Sequence, residues 1–187
     1  MLDNASIPIL GFVAPSGTGK TTLLKTLIAL CKAKDIRLAV IKHSHHDFEI
    51  DTPGKDSYEL RKAGAEQMLI ASRYRWALIS ESCCDANEVD LNSLLLNLDQ
   101  NQLDLILVEG FKQEHFPKIE LLRAPHHRLS LAAADPDIIA IATDDPDEPG
   151  CELPCLDLND AEQILRFIIR YFNLATSDAS HYHPDKD

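Results

Sequence analysis

Basic side chains are scarce in this 187-residue chain: 18 Lys and Arg stand against 30 Asp and Glu, for a formal charge of −12. A general nucleic-acid binder needs a broad cationic face to displace counterions from a phosphate backbone, so that class is set aside. No apolar run reaches the roughly 20 residues of a membrane span, and the N-terminus has no basic segment leading into an apolar one. The expectation is a cytoplasmic protein without a membrane partner. The five cysteines are odd in number and read as reduced thiols. Neither the adjacent Cys83 and Cys84 nor the pair Cys151 and Cys155 has a matching second pair at zinc spacing. There is no internal repeat and no low-complexity block. A nucleotide site stays compatible with the acidic balance, because backbone dipoles and a single lysine act locally.

Such a site is written near the start. An apolar run, Ile7-Pro8-Ile9-Leu10-Gly11-Phe12-Val13, leads into Ala14-Pro15-Ser16-Gly17-Thr18-Gly19-Lys20-Thr21-Thr22 and then into an amphipathic stretch. This is the layout of a phosphate-binding P-loop between a strand and a helix. Gly17 and Gly19 let the backbone curl so that its N–H groups meet phosphate oxygens, and the helix end adds free N–H groups and a positive dipole. Ser16 to Thr22 thus become the phosphate-binding residues, with Lys20 directed at the β- and γ-phosphates and the Thr21 hydroxyl at Mg²⁺. Ala14 stands where the usual pattern opens with Gly; alanine fits as long as its φ stays negative.

The rest of the chain reads as α/β. Helical spacing runs to about Lys34, and residues 37–42 form a buried parallel strand. A polar segment containing His43, His45, His46, Asp51 and Pro53-Gly54 lies at that strand's C-terminal end, the edge where open α/β sheets bind ligands. Asp56 with Glu59 predicts the cap of a short helix ending near Gly64. Residues 66–72 and 75–81, split by Arg73 and Tyr74, predict a tight hairpin at a sheet edge and a dimerisation element. A helix is predicted over residues 89–98, strands over 104–109, 118–123 and 138–142, and a last helix capped by Asn159 with Glu162. The expected architecture is one P-loop NTPase domain over residues 1–174, its mostly parallel sheet flanked by helices with the hairpin at about 66–81. A polar tail, 175–187, follows.

Glu109 closes the apolar strand Leu105-Ile106-Leu107-Val108, so it is the candidate second anchor for Mg²⁺, acting through a bound water. Asp51 is another metal or nucleotide candidate. His43, His45 and His46 read either as metal ligands, as donors to an anionic ligand, or as an ordinary polar loop. Lys42, Lys55, Arg61, Lys112 and Lys118 are candidates for positive charge on the same rim. Asp144 or Asp145, past the 138–142 strand, is placed to accept from the N1–H and amine of guanine, though Thr143-Asp144-Asp145-Pro146 is also an ordinary turn. Trp76 reads as packing or interface.

The runs S-G-T-G-K-T-T-L-L, I-K-H-S-H-H-D, D-x-P-G-K-D-S-Y-E-L-R-K-A-G-A and D-L-I-L-V-E-G-F-K together resemble the molybdopterin-guanine dinucleotide biosynthesis protein B family, over roughly residues 7–123. The resemblance implies a homodimeric GTP-binding adapter with weak GTPase activity, serving the guanylyltransferase that joins GMP to molybdopterin. It implies GTP and Mg²⁺ at Ser16 to Thr22 and a Walker-B-like role for Glu109. It also implies a histidine-bearing loop facing the nucleotide, or molybdopterin or its guanine dinucleotide as a bound ligand. A small-molecule kinase and a metallochaperone NTPase are the competing classes.

Overall fold

The computed structural model describes residues 2–44, 48–81, 89–123, 130–145 and 152–177. The chain divides into two compact units, Met1–His43 with Asp90–Asp187, and Ser44–Val89.

The first unit is built on six strands: β1 (Ile9–Val13), β2 (Leu38–Lys42), β5 (Leu105–Glu109), β6 (Lys118–Leu122), β7 (Ile138–Thr143) and β8 (Cys155–Asp157). Their order is β2-β5-β1-β6-β7-β8, and every neighbouring pair is parallel. Continuous apolar runs such as 105–108 suit strands covered on both faces. On one face Leu10, Phe12, Leu105, Leu107, Ile119 and Leu121 form a core with α1 (Lys20–Ala33) and α4 (Ala161–Phe172). The helices contribute Leu23, Leu24, Leu27, Ile164, Leu165 and Ile168, the spacing expected for one buried stripe. On the other face Ile9, Ile41, Ile106 and Val108 pack with Leu91, Leu95, Phe111 and Phe116.

The predicted helix over 89–98 is shorter than expected. It is α3 (Leu91–Leu94), capped by the Asp90 carboxylate on Asn92 and Ser93, followed by a 3₁₀ turn, Leu95–Asn97. The Asn97 amide bonds back to the Leu94 carbonyl, the local competition that makes Asn a poor helix continuer. The cap of α4 is Asp160, which accepts from Gln163 N–H, and not Asn159. Strand β8 has three residues and no apolar period to announce it.

The second face of β6 is polar yet buried. Lys118 and Glu120 are each 1% exposed. The Lys118 ammonium lies 3.0 Å from Asp135 and 3.6 Å from Asp137 and sits over the Phe116 ring. Glu120 accepts from Ser130 Oγ, Leu131 N–H and Ala132 N–H at 2.7–3.2 Å. Gly11 lies beneath: a Cβ there would stand 2.7 Å from Phe116 and 3.1 Å from Lys118 Cγ.

The second unit holds α2 (Asp56–Lys62), β3 (Gln67–Ala71) and β4 (Trp76–Ser80). The last two pair antiparallel from Gln67↔Ser80 to Ala71↔Trp76, as the hairpin reading expected. They form a two-stranded sheet of their own and do not extend the edge of the six. Lys55, with extended backbone, is the N-cap of α2 and makes no side-chain cap bond; Asp56 and Glu59 lie in the first turn instead, where their charge favours the dipole.

Candidate functional site

Strand β1 delivers the chain to the loop, and α1 begins at Lys20. Gly17 and Gly19 take φ of 82° and 94°, a left-handed turn that L side chains resist. Ala14 is 6% exposed and joins the core, so its methyl has a packing role at the position where the motif usually has Gly. Thr18 is also buried, and its hydroxyl donates to the Pro15 carbonyl at 2.8 Å, tying one side of the loop to the other. Ser16, Gly17 and Gly19 are exposed. Gly19 is the N-cap of α1 with no side-chain cap bond. The first N–H groups of the helix are therefore directed into the loop, as an anion site requires.

Side chains alternate along a strand, so Lys42 and Glu109, the last residues of β2 and β5, share the α1 face with Leu38, Leu105 and Leu107. They stand in register with each other. Glu109 Oε1 lies 3.8 Å from Lys20 Nζ, and Oε2 lies 3.4 Å from Lys42 Nζ. Burial holds the Lys20 ammonium below the ordinary lysine range; Glu109 opposes that shift, and the charges of Lys112 and Lys42 add to it. The edge is thus locally cationic although the chain is acidic.

The backbone fixes Glu109. His43 N–H donates to the Glu109 carbonyl at 2.8 Å, and the next residues, Gly110 and Phe111, have φ of 102° and 52°. The His43 ring stacks on Phe111 with centroids 4.7 Å apart. A Cβ on Gly110 would meet His43 Cβ at 2.7 Å, so the turn after Glu109 closes against His43. His45 and His46 lie outside the described residues, as do Cys83, Cys84, Cys151 and the tail from 178. Among the described residues no group of three His, Cys, Asp or Glu side chains gathers as a metal site. Cys31 is buried, which pushes its thiol up to about 11.

One residue the sequence reading passed over is Arg123. It follows the last residue of β6 at the same sheet edge, and its guanidinium reaches three segments. Nε donates to the Thr18 carbonyl of the loop at 3.4 Å, Nη1 to Asp144 at 3.4 Å and Nη2 to Asn159 at 3.2 Å. Asp144 is therefore brought to the P-loop side, paired with an arginine.

Two of the expected rim charges are elsewhere. Lys118 opens β6, in register with Gly11 and Ile138, and is buried between carboxylates. Arg61, 7% exposed, belongs to the second unit, where its guanidinium pairs with both Glu49 and Glu81. In that unit Asp51 Oδ1 accepts from Thr52 N–H at 2.9 Å, while Oδ2 is buried without a partner among the described residues.

The family model for molybdopterin guanine dinucleotide synthesis protein B (MobB) matches residues 9–144. The chain belongs to the MobB family. It is 49% identical over 172 residues to the molybdopterin-guanine dinucleotide biosynthesis adapter protein of Escherichia coli K12, covering 91% of this chain and 97% of that one. To the adapter protein of the same name from Haemophilus influenzae it is 41% identical, over 96% of this chain and 94% of the relative. The fold matches a crystal structure of Bacillus subtilis MobB with a TM-score of 0.71 at 24% identity, over 89% of this chain and 98% of that one. The MobB fold thus places the loop, Glu109 and Arg123 of this chain on one edge of a parallel sheet.

Proposed function

We propose that this chain is a GTP-binding adapter in molybdopterin guanine dinucleotide biosynthesis, hydrolysing GTP slowly and assisting the guanylyltransferase that joins GMP to molybdopterin. The observation that carries the reading is the Glu109 carboxylate 3.8 Å from Lys20, at a helix N-terminus opened by two left-handed glycines, in a MobB-family chain. The backbone N–H groups of residues 16–22 receive the phosphates and Lys20 reaches the β- and γ-phosphates. The residues fit a magnesium ion. The Thr21 side chain is exposed and has no hydrogen-bond partner among the described residues, and Glu109 supplies a carboxylate beside Lys20. Magnesium, when bound there, would offset the negative charge of the phosphates. Asp144, set beside Arg123, accepts from guanine. Glu109 is assigned to the metal and Arg123 is engaged by three acceptors, so neither is directed at an attacking water, and turnover is slow.

The second unit suits partner contacts. Leu69, Leu78 and Trp76 share one face of the hairpin and are exposed, an apolar surface that a second copy of the chain would cover, which makes the adapter a homodimer. Among the described residues no helix is long and apolar enough to cross a membrane.

Capture of the guanylyltransferase on immobilised protein in GTP, GDP and nucleotide-free states tests the adapter role. Retention in at least one state is expected, and none in any state would sink the reading. Lys20→Ala should abolish GTP binding with the fold intact; undiminished affinity in a titration would remove the phosphate-cradle assignment.

A further inference from the structure

The unusual feature of the edge is that one carboxylate is shared by two lysines. Glu109 gives one oxygen to Lys20 and the other to Lys42. Lys20 opens α1 and its partner role is settled by the loop: it counts phosphates generally, since it reaches the β- as well as the γ-phosphate. Lys42 comes from a different strand, its side chain is 60% exposed, and the phosphate loop gives it no role. We infer that Lys42 distinguishes nucleoside triphosphate from diphosphate, its ammonium leaving Glu109 for the terminal phosphate when that phosphate is bound. This rests on the GTP reading given above.

Two ammoniums on one carboxylate leave an excess of positive charge, and a terminal phosphate supplies the missing anion with a charge-assisted hydrogen bond. A side chain that is largely exposed changes partner at small cost, whereas Glu109, 15% exposed and at the end of a buried strand, stays in place for the metal. Lys42 is also the penultimate residue of the first unit's N-terminal segment: His43 follows, with its N–H on the Glu109 carbonyl and its ring on Phe111, and Ser44 opens the second unit. A change of partner at Lys42 therefore acts on the residue before a clamped histidine at the covalent junction of the units. Lys112 shares the same field but makes no ion pair with Glu109 among the described residues, so its removal should weaken all nucleotides alike.

The test is a calorimetric titration of the full chain with Mg²⁺ and either guanylyl imidodiphosphate or GDP. Lys42→Ala should lose about tenfold or more in affinity for the triphosphate analogue, with GDP affinity held within about twofold. Lys42→Arg should keep most of the preference, and Lys112→Ala should lower both affinities in proportion. Equal losses for both nucleotides in Lys42→Ala, or no loss, would overturn the inference while leaving the GTP reading standing. A wild-type chain that binds neither nucleotide would overturn both, and that outcome is read before any variant is made.

Discussion

Two stretches of similar sequence character have opposite surroundings. Strand β5, Leu-Ile-Leu-Val-Glu, is buried over its first four residues. Strand β3, Gln-Met-Leu-Ile-Ala, is exposed at every residue except a half-buried Met68. Both are rich in strand-forming apolar residues, but β5 lies between β2 and β1 with helices on its faces, whereas β3 has, among the described residues, β4 as its only strand partner. Apolar content sets the tendency to pair, and the available neighbours decide whether the surface is buried. In the first unit that surface is consumed by the core that holds the phosphate edge rigid. In the second it remains exposed, so that the proposed nucleotide site and the proposed partner surface draw on different apolar segments.

The sharpest probe of this contrast is a matched pair of substitutions. Leu107→Ala removes a side chain 1% exposed and should cost about 2–5 kcal/mol in denaturant unfolding. Leu69→Ala, at a residue 57% exposed, should cost less than about 0.5 kcal/mol in dilute protein. A large cost for Leu69→Ala that grows with protein concentration would mean that the hairpin is covered by a second copy, and would turn the contrast into one between intra- and intermolecular burial. Gly110→Ala comes next. Its positive φ and the 2.7 Å approach to His43 predict a loss of about 1–3 kcal/mol, with impaired nucleotide binding, because the turn that aims Glu109 must shift. Retained stability and binding would show that the first unit is softer at its edge than in its core.

The smallest effect compares one carboxylate from each unit. Hydrogen bonds from Arg37 hold the Asp104 carboxyl below its usual range, and hydrogen bonds from Lys62 and Arg61 do the same for Glu49. A depressed folded value means that the unfolded chain binds more protons as the medium acidifies. The stabilisation is complete above the ordinary carboxylate range near pH 4 and is lost as pH falls through the lower folded values. Asp104→Asn should flatten the acid limb of stability in the first unit, and Glu49→Gln that of the second, each resolved by hydrogen exchange of its own unit. An unchanged acid limb in either variant would remove that pair from the account.

The sheet and the phosphate loop were legible because their signals are continuous: four or five apolar residues in a row, glycines two apart, a lysine at the helix start. The caps were less so. At 55–56 and 159–160 two neighbours compete, and backbone dihedrals rather than residue preference choose Lys55 and Asp160. Lys118 and Arg61 look like surface charge in one dimension, and only the folded chain brings Asp135, Asp137, Glu49 and Glu81 to bury them. Arg123 was invisible for the same reason, since its three acceptors lie 21 to 105 residues away. The core strands were readable from local pattern, while the polar contacts that organise the edge are long-range.

Gly11 carries a consequence for how this sequence can drift. It sits mid-strand, where an L residue of ordinary strand conformation would be at home, but the Phe116 ring and the Lys118 stem fill the space of its Cβ. Alanine at position 11 becomes acceptable only when position 116 shrinks. The two positions are therefore expected to vary as a pair among relatives, with Gly opposite an aromatic and Ala opposite a smaller side chain, while Lys118 stays fixed by its carboxylates.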